Sequence, residues 1–318
     1  MERLSLNARA GRLADALIAE AAVLRLGIAR GPGGETLVDC GHRHPGGIEA
    51  GLRLARICLA DLAEVSLVPS HRGLPWGVMV RTSQPLLACL ASQYAGWPLG
   101  TPESPLMGSG PARALARQEA ILQNIPHEEE ASRAVLVLEG DAPPPPGLAA
   151  AVAETCALPR ERLTLLHAPT GSLAGMTQIA ARALECAMQK ARLLGFPLDA
   201  VVDAVATAPL CPPHPDARTA MGRANDAIIY GGQVHLTVTG PAPEAQGLAH
   251  RLPSRTSPDW GRGFAEVYEA AGRDFARIDA HLFSPARAAV TALATGETFA
   301  AGRPDPARVH AFAEAEET

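Results

Sequence analysis

Residues 134–195 read AVLVLEGDAPPPPGLAAAVAETCALPRERLTLLHAPTGSLAGMTQIAARALECAMQKARLLG, and their hydropathy changes period from one segment to the next. AVLVLEG is a short apolar run between turn residues and reads as a buried strand, and LTLLHAP reads as another strand. GLAAAVAETC carries helical spacing, and so does the longer SLAGMTQIAARALECAMQKARLL, which Gly195 and Pro197 close. The proline run at 142–146 fits neither a helix nor a central strand and is expected as a surface loop. Strand and helix therefore interleave, which places the chain in the α/β class.

Working outward, residues 8–25 have amphipathic helical spacing, a short strand ends at Asp39, and a second helix runs from Ile48 to about Leu62. EVSLVPSHRGLPWGVMVRTS reads as two strands joined by a Gly-Pro turn, and QPLLACLASQYAG returns to helical spacing until Gly96. HEEEAS, residues 127–132, is polar enough to be a connection, so the expected units are an N-terminal α/β domain, 1–131, and a second, 132–318. The C-terminal segment is allowed to pack back on the first. AIIYGGQVHLTVT signals a hairpin at Gly-Gly, and the chain from Ala301 onward reads as a solvated helix or tail. Recurring hairpins favour a mixed α/β (α+β) sheet arrangement over a purely parallel one.

Composition excludes several classes of function. Apolar residues make up 47% of the 318, enough for a substantial core, so disorder is not expected. The 28 basic and 33 acidic residues are scattered, leaving no basic stripe for a phosphate backbone, and nucleic acid is not an expected partner. The N-terminus carries charges throughout and has no secretion-signal core, and no apolar run spans a bilayer; a cytoplasmic protein is expected. Six cysteines without a C-x-x-C pair point to free thiols in a reducing compartment.

Several constellations carry chemistry. Gln178, Arg182, Glu185, Gln189 and Arg192 step by four, three, four and three along the long helix and form one stripe. By spacing alone it is either a solvated face with an Arg182–Glu185 pair or the wall of a wet cleft. In Gly108-Ser109-Gly110-Pro111-Ala112-Arg113 a glycine turn enters a helix with Pro111 expected at its first position. Such an end is an ordinary capped helix or a place for an anion or polar ring edge. Histidines 42 and 44 are close, yet no metal-ligand spacing occurs, and they read as loop residues. Asp39 and Glu139 are carboxylates at strand ends. Asn225-Asp226 supplies either turn chemistry or groups for a ligand's donor and acceptor edge.

Taken together, VDCGHRHPGGIEAG, QYAGWPLG, GSGPARALA, APTGSLAGMTQIAARALE, TAMGRANDAIIYGG, LPSRTSPDWGR and FSPARAAVTALATGETF resemble the methenyltetrahydromethanopterin cyclohydrolase family, from about Leu6 to Phe299. With Tyr94 where archaeal members carry lysine, the chain looks like the bacterial methylotroph branch. The resemblance implies two α/β domains with a substrate cleft between them and a homotrimer. It also implies hydrolysis of a methenyl bridge in one-carbon metabolism and formaldehyde oxidation. The family's functional arginine and glutamate map onto Arg182 and Glu185. Substrate contacts are then expected from Tyr94, Gly108, Ser109, Gly110, Arg113, Glu139, Gln178, Asn225 and Asp226. The partner is a small-molecule pterin, and no metal or other cofactor is expected. A non-catalytic pterin-binding relative and a methenyltetrahydrofolate cyclohydrolase are the alternatives.

Overall fold

The computed structural model describes residues 4–70, 74–101 and 106–309. It is a mixed α/β structure with two six-stranded sheets. The strands are β1 (Gly27–Arg30), β2 (Thr36–Asp39), β3 (Glu64–Pro69), β4 (Trp76–Thr82), β5 (Trp97–Pro98) and β6 (Met107–Ser109). They continue with β7 (Ala134–Glu139), β8 (Leu163–Ala168), β9 (Val201–Pro209), β10 (Gln233–Val238), β11 (Arg287–Ala292) and β12 (Thr298–Gly302). One sheet has the order β1-β2-β8-β7-β6-β5 and the other β12-β11-β10-β9-β4-β3.

Contacts divide the chain into two compact units, one formed by the chain up to Ala63 with Leu87–Gln178, the other by Glu64–Leu86 with the chain from Ile179 onward. Each is thus assembled from two stretches, and the boundary expected after residue 131 falls inside the first. The paired strands β3 and β4 leave their sequence neighbours, with β4 pairing to β9, and residues 71–73, part of the expected Gly-Pro turn, lie outside the described residues.

In the first unit the reading of 134–195 explains the layering. Val135 and Val137 of β7 pack with Leu17, Leu54 and Ile57, on the side of the Leu6–Ala19 and Ile48–Cys58 helices. Leu136 and Leu138, pointing the other way, pack with Leu148 and Val152 of the Leu148–Thr155 helix. A strand covered on both faces has no polar side to alternate, hence AVLVLE. The parallel register β2-β8-β7 carries Asp39, His167 and Glu139 to neighbouring strand ends.

HEEEAS is more than a polar connection. Glu129 within it accepts the backbone N–H groups of Leu6 and Asn7, both at 2.9 Å, the Ser5 hydroxyl at 2.7 Å and the Asn7 amide at 3.2 Å. His127 Nε2 lies 2.9 Å from it. The carboxylate so fills the first turn of the Leu6–Ala19 helix, where unpaired N–H groups and the helix dipole favour a negative charge.

The second unit departs further from expectation. AIIYGGQVHLTVT is not a hairpin: AIIYG ends the Ala217–Gly231 helix, and only QVHLTV is a strand. Val201–Pro209 and Arg287–Ala292 are strands; of the helix or tail expected from Ala301 onward, Ala301 and Gly302 lie in β12, 306–309 are helical, and 310–318 lie outside the described residues. Packing decides each case: β9 alternates small buried Ala204, Ala206 and Ala208 with half-buried neighbours, a pattern of weak intrinsic preference settled by its sheet neighbours.

Burial alone would raise the Glu129 carboxyl, but the hydrogen bonds from His127, Asn7, Leu6 and Ser5 outweigh it and hold it below the ordinary 4.5. Its contribution is therefore complete above that ordinary value and lost as pH falls through the lowered one. Glu129→Gln is expected to cost at least about 2 kcal/mol in urea unfolding at neutral pH, with the deficit shrinking in acid. An equal deficit at neutral and at acid pH would contradict this role.

Candidate active site

The long helix of the sequence reading is interrupted. Leu173–Ala180 and Ala183–Leu193 are separate segments, and the Arg182 N–H bonds one residue short, to the Ile179 carbonyl at 2.9 Å. No glycine or proline marks the break. One turn earlier the Thr177 hydroxyl donates to the Leu173 carbonyl at 2.7 Å, a back-bond of the kind that bends helices. The interruption makes Arg182 the cap residue of a new helix and places Glu185 in its first turn.

There the Arg182 Nη1 donates to Glu185 Oε2 at 3.2 Å, and both side chains are only 7% exposed. That burial rules out the solvated-face reading for these two residues. A buried ion pair adds little to stability, because desolvation cancels most of the Coulomb gain. The helix N-terminus adds a further field favouring the carboxylate, typically about 0.3–1 kcal/mol. Further along, Gln189 is half-buried and Arg192 exposed, with Arg192 Nε on Gln189 Oε1 at 2.9 Å, so the outer part of the stripe is the ordinary wet face. Gln178 is fully buried, and among the described residues neither its amide nitrogen nor its amide oxygen meets a hydrogen-bonding group. Each unmet end costs about 1–3 kcal/mol.

In the first unit, Ser109, Gly110, Arg113 and Tyr94 are brought together around the end of a π-helix, Leu86–Gln93. Such helices are rare and recur at functional sites. The Ser109 hydroxyl donates to the Gln93 carbonyl at 2.6 Å, the Gly110 N–H to Ser92 at 2.9 Å, and Arg113 Nη1 to Ser92 at 2.8 Å and Leu90 at 3.3 Å. Carbonyls at a helix end take partners of this kind from outside the helix. Arg113 is fully buried, forks onto Glu119 at 2.7 and 2.6 Å, and lies 5.3 Å from the centre of the Tyr94 ring. Gly110 turns the chain at φ +103°, a conformation that favours glycine. Pro111 is the cap of a helix of five residues rather than its first member, and this GSGPAR turn is occupied with holding the π-helix. Gly108 lies within β6, paired to Trp97 and Leu138, and Glu139 ends β7 half-buried.

Asn225 and Asp226 are not a turn but mid-helix. Asn225 bonds back to the Met221 carbonyl at 2.9 Å, and Asp226, 3% exposed, accepts the Phe264 N–H at 2.9 Å, at the start of the Phe264–Ala270 helix. Asp39 accepts four successive N–H groups, from Gly41 to His44, at 2.7–3.1 Å, and His44 Nδ1 lies 3.0 Å away. Burial would raise its carboxyl, yet the His44 ring and these N–H groups hold it far below the usual carboxylate range. The His42–His44 loop is thus folded around one carboxylate. Among the described residues no three His, Cys, Asp or Glu side chains gather as a metal ion would require.

Lys190, which the stripe argument passed over, is completely buried on the Glu185 helix. It had no sequence signal, since lysine at helical spacing reads as a surface residue.

A buried carboxylate beside a guanidinium at a helix start is a group that can take up and return a proton. Comparison with known proteins gives the family. The family described as Cyclohydrolase (MCH) matches residues 5–312, and the chain belongs to it. It is 48% identical over 306 residues to the methenyltetrahydromethanopterin cyclohydrolase of Xanthobacter autotrophicus, covering 96% of this chain and 91% of the relative. With the enzyme of that name from Methylobacterium organophilum it shares 47% over 313 residues, 96% and 97% of the two chains. The one from Methanococcoides burtonii is 37% identical over 277 residues, 86% and 87%.

Burial pushes the Asp226 carboxyl up to about 7, against the Phe264 N–H, which lowers it. Its contribution to stability is complete below the ordinary 3.8 and lost as pH rises through about 7. Asp226→Asn keeps the acceptor without the charge, so its melting temperature relative to the parent is expected to rise between about pH 4 and about pH 8. A difference that does not move with pH would contradict the assignment.

Proposed function

We propose that the protein hydrolyses 5,10-methenyltetrahydromethanopterin, or its dephospho form, to the 5-formyl derivative, with Glu185 as the base and Arg182 as its support. The observation that carries this is the buried 3.2 Å Arg182–Glu185 pair in a chain of this family. It is an unfavourable arrangement to build for stability alone.

The methenyl carbon sits between two nitrogens in an amidinium-like cation and is already electrophilic, so the chemistry calls on no metal or other cofactor to polarise it. Water adds to the carbon while Glu185 takes one of its protons, giving a neutral hydroxylated adduct. Collapse of that adduct forms the formyl C=O on N5 and breaks the other C–N bond. The departing nitrogen takes the proton held by Glu185, and the hydroxyl proton leaves to solvent. One water is consumed and one proton released. Attraction between the carboxylate and the cationic ring is present in the ground state as well, and lowers KM rather than raising kcat. Rate comes from the aimed water and the placed base.

Tyr94, Glu139 and Gln178 are the substrate contacts we propose. Gln178 carries the strongest argument, since its buried amide is expensive to keep unless a ligand's donor and acceptor edge meets it. Ser109, Gly110, Arg113, Gly108, Asn225 and Asp226 spend their groups on the frame and serve the substrate through it. A homotrimer in the cytoplasm, with no nucleic acid or membrane as partner, completes the proposal. No helix among the described residues is long and apolar enough to cross a membrane.

The test follows the loss of the methenyl cation's absorbance. Glu185→Gln is expected to lower kcat by about 10²- to 10⁴-fold and, with the carboxylate's attraction for the cation gone, to raise KM as well; parental turnover would refute the base. Gln178→Leu removes two unmet polar ends, so it is expected to raise the melting temperature while raising KM. A lowered melting temperature with an unaltered KM would show the amide to be structural.

A further inference from the structure

We propose that Lys190 is a positioning residue for the hydrolysis, locking the rotation and axial register of the helix that presents Glu185; this rests on the Glu185 reading above. Five residues separate the two side chains, about 140° around the helix, so Lys190 points away from Glu185 into the protein. Its ammonium is fully buried and donates to three oxygens, the Pro253 carbonyl at 2.9 Å, the Thr256 hydroxyl at 2.9 Å and the His281 carbonyl at 2.7 Å. Three acceptors use all three N–H bonds of an ammonium in fixed directions.

The acceptors belong to two short turns, Ser254–Thr256, with its cap residue Pro253, and Ala280–Leu282, that are themselves tied down. The Ser254 hydroxyl donates to the Ile229 carbonyl at 2.5 Å and its N–H to Pro285 at 3.0 Å. Ser257 donates to Asp279 at 2.6 Å, and Ser284 to the Leu252 carbonyl at 2.6 Å. The socket accounts for LPSRTSPDWGR, a stretch that the chemistry above leaves without a role. Burial pushes the Lys190 ammonium down to about 8, with Asp279 opposing, so the charge is kept at some cost where methionine or leucine would pack.

The leverage on the site is geometric. A rotation of about 10° displaces a carboxylate roughly 6 Å from the helix axis by about 1 Å. Misplacements of that size can cost about 10²-fold in rate. A lysine that only stabilised the fold would change the fraction folded and leave the folded enzyme's turnover alone.

The experiment compares Lys190→Met, Thr256→Val, Glu185→Gln and the Lys190→Met/Glu185→Gln double variant, with Val152→Ala as a core variant of lowered stability in the first unit. Turnover is taken per folded molecule, well below each melting temperature. Lys190→Met is expected to lower kcat at least about tenfold with KM within about threefold, while Val152→Ala keeps the parental kcat. In the Glu185→Gln background Lys190→Met is expected to lower kcat no further, because it acts through that carboxylate. Parental kcat in folded Lys190→Met, or a further tenfold loss in the double variant, would overturn the proposal. Should Lys190→Met fail to fold, Thr256→Val decides: a fall of about threefold in kcat supports it, and parental kcat overturns it. Parental kcat in Glu185→Gln would sink the base assignment and this inference with it, whereas loss in Glu185→Gln alone sinks only the positioning.

Discussion

The ion pair between Arg182 and Glu185 constrains the rest of the second unit. Two charges taken out of water need an environment that holds them in one geometry, or the carboxylate takes up a proton and the base is lost. The interruption of the helix answers that need. By ending one segment and starting another, the chain places Glu185 at a positive helix terminus and turns Arg182 into the residue immediately before it. A continuous helix would have left the same two side chains as an ordinary i,i+3 pair, worth only about 0.2–0.5 kcal/mol on a solvated face.

The first unit solves a different problem of exposed polar groups. A π-helix leaves its terminal carbonyls without partners, and the GSGPAR turn supplies them from a hydroxyl, a backbone N–H and a buried guanidinium. Arg113 is in turn neutralised by the fork to Glu119 and covered by the Tyr94 ring. Tyr94 therefore stands beside a cation belonging to the protein. The serine, glycine and arginine that the family resemblance assigns to the substrate thus also support a neighbouring element.

Much of the fold was legible because its core strands are covered on both faces. AVLVLE and LTLLHA carry no polar alternation to confuse them, and the boundaries at Asp39 and Glu139 coincide with strand ends. The alanine-rich β9 and the AIIYG segment were not legible, since small and β-branched residues fit either element and distant neighbours decide. The site was half legible. Spacing put Gln178, Arg182 and Glu185 on one stripe, but not their burial, and nothing in IAARAL announces the break. Lys190 was invisible because its three acceptors come from turns more than sixty residues away in sequence. Asn225-Asp226 has turn composition, and helix packing overrode it.

The most direct measurement is a crystal structure of the Glu185→Gln protein with the methenyl substrate bound and unreacted. The account predicts an ordered water within hydrogen-bonding reach of the residue 185 side chain and about 3–3.5 Å from the methenyl carbon, on the line of attack. A methenyl carbon lying beyond the reach of one water from that side chain would contradict it.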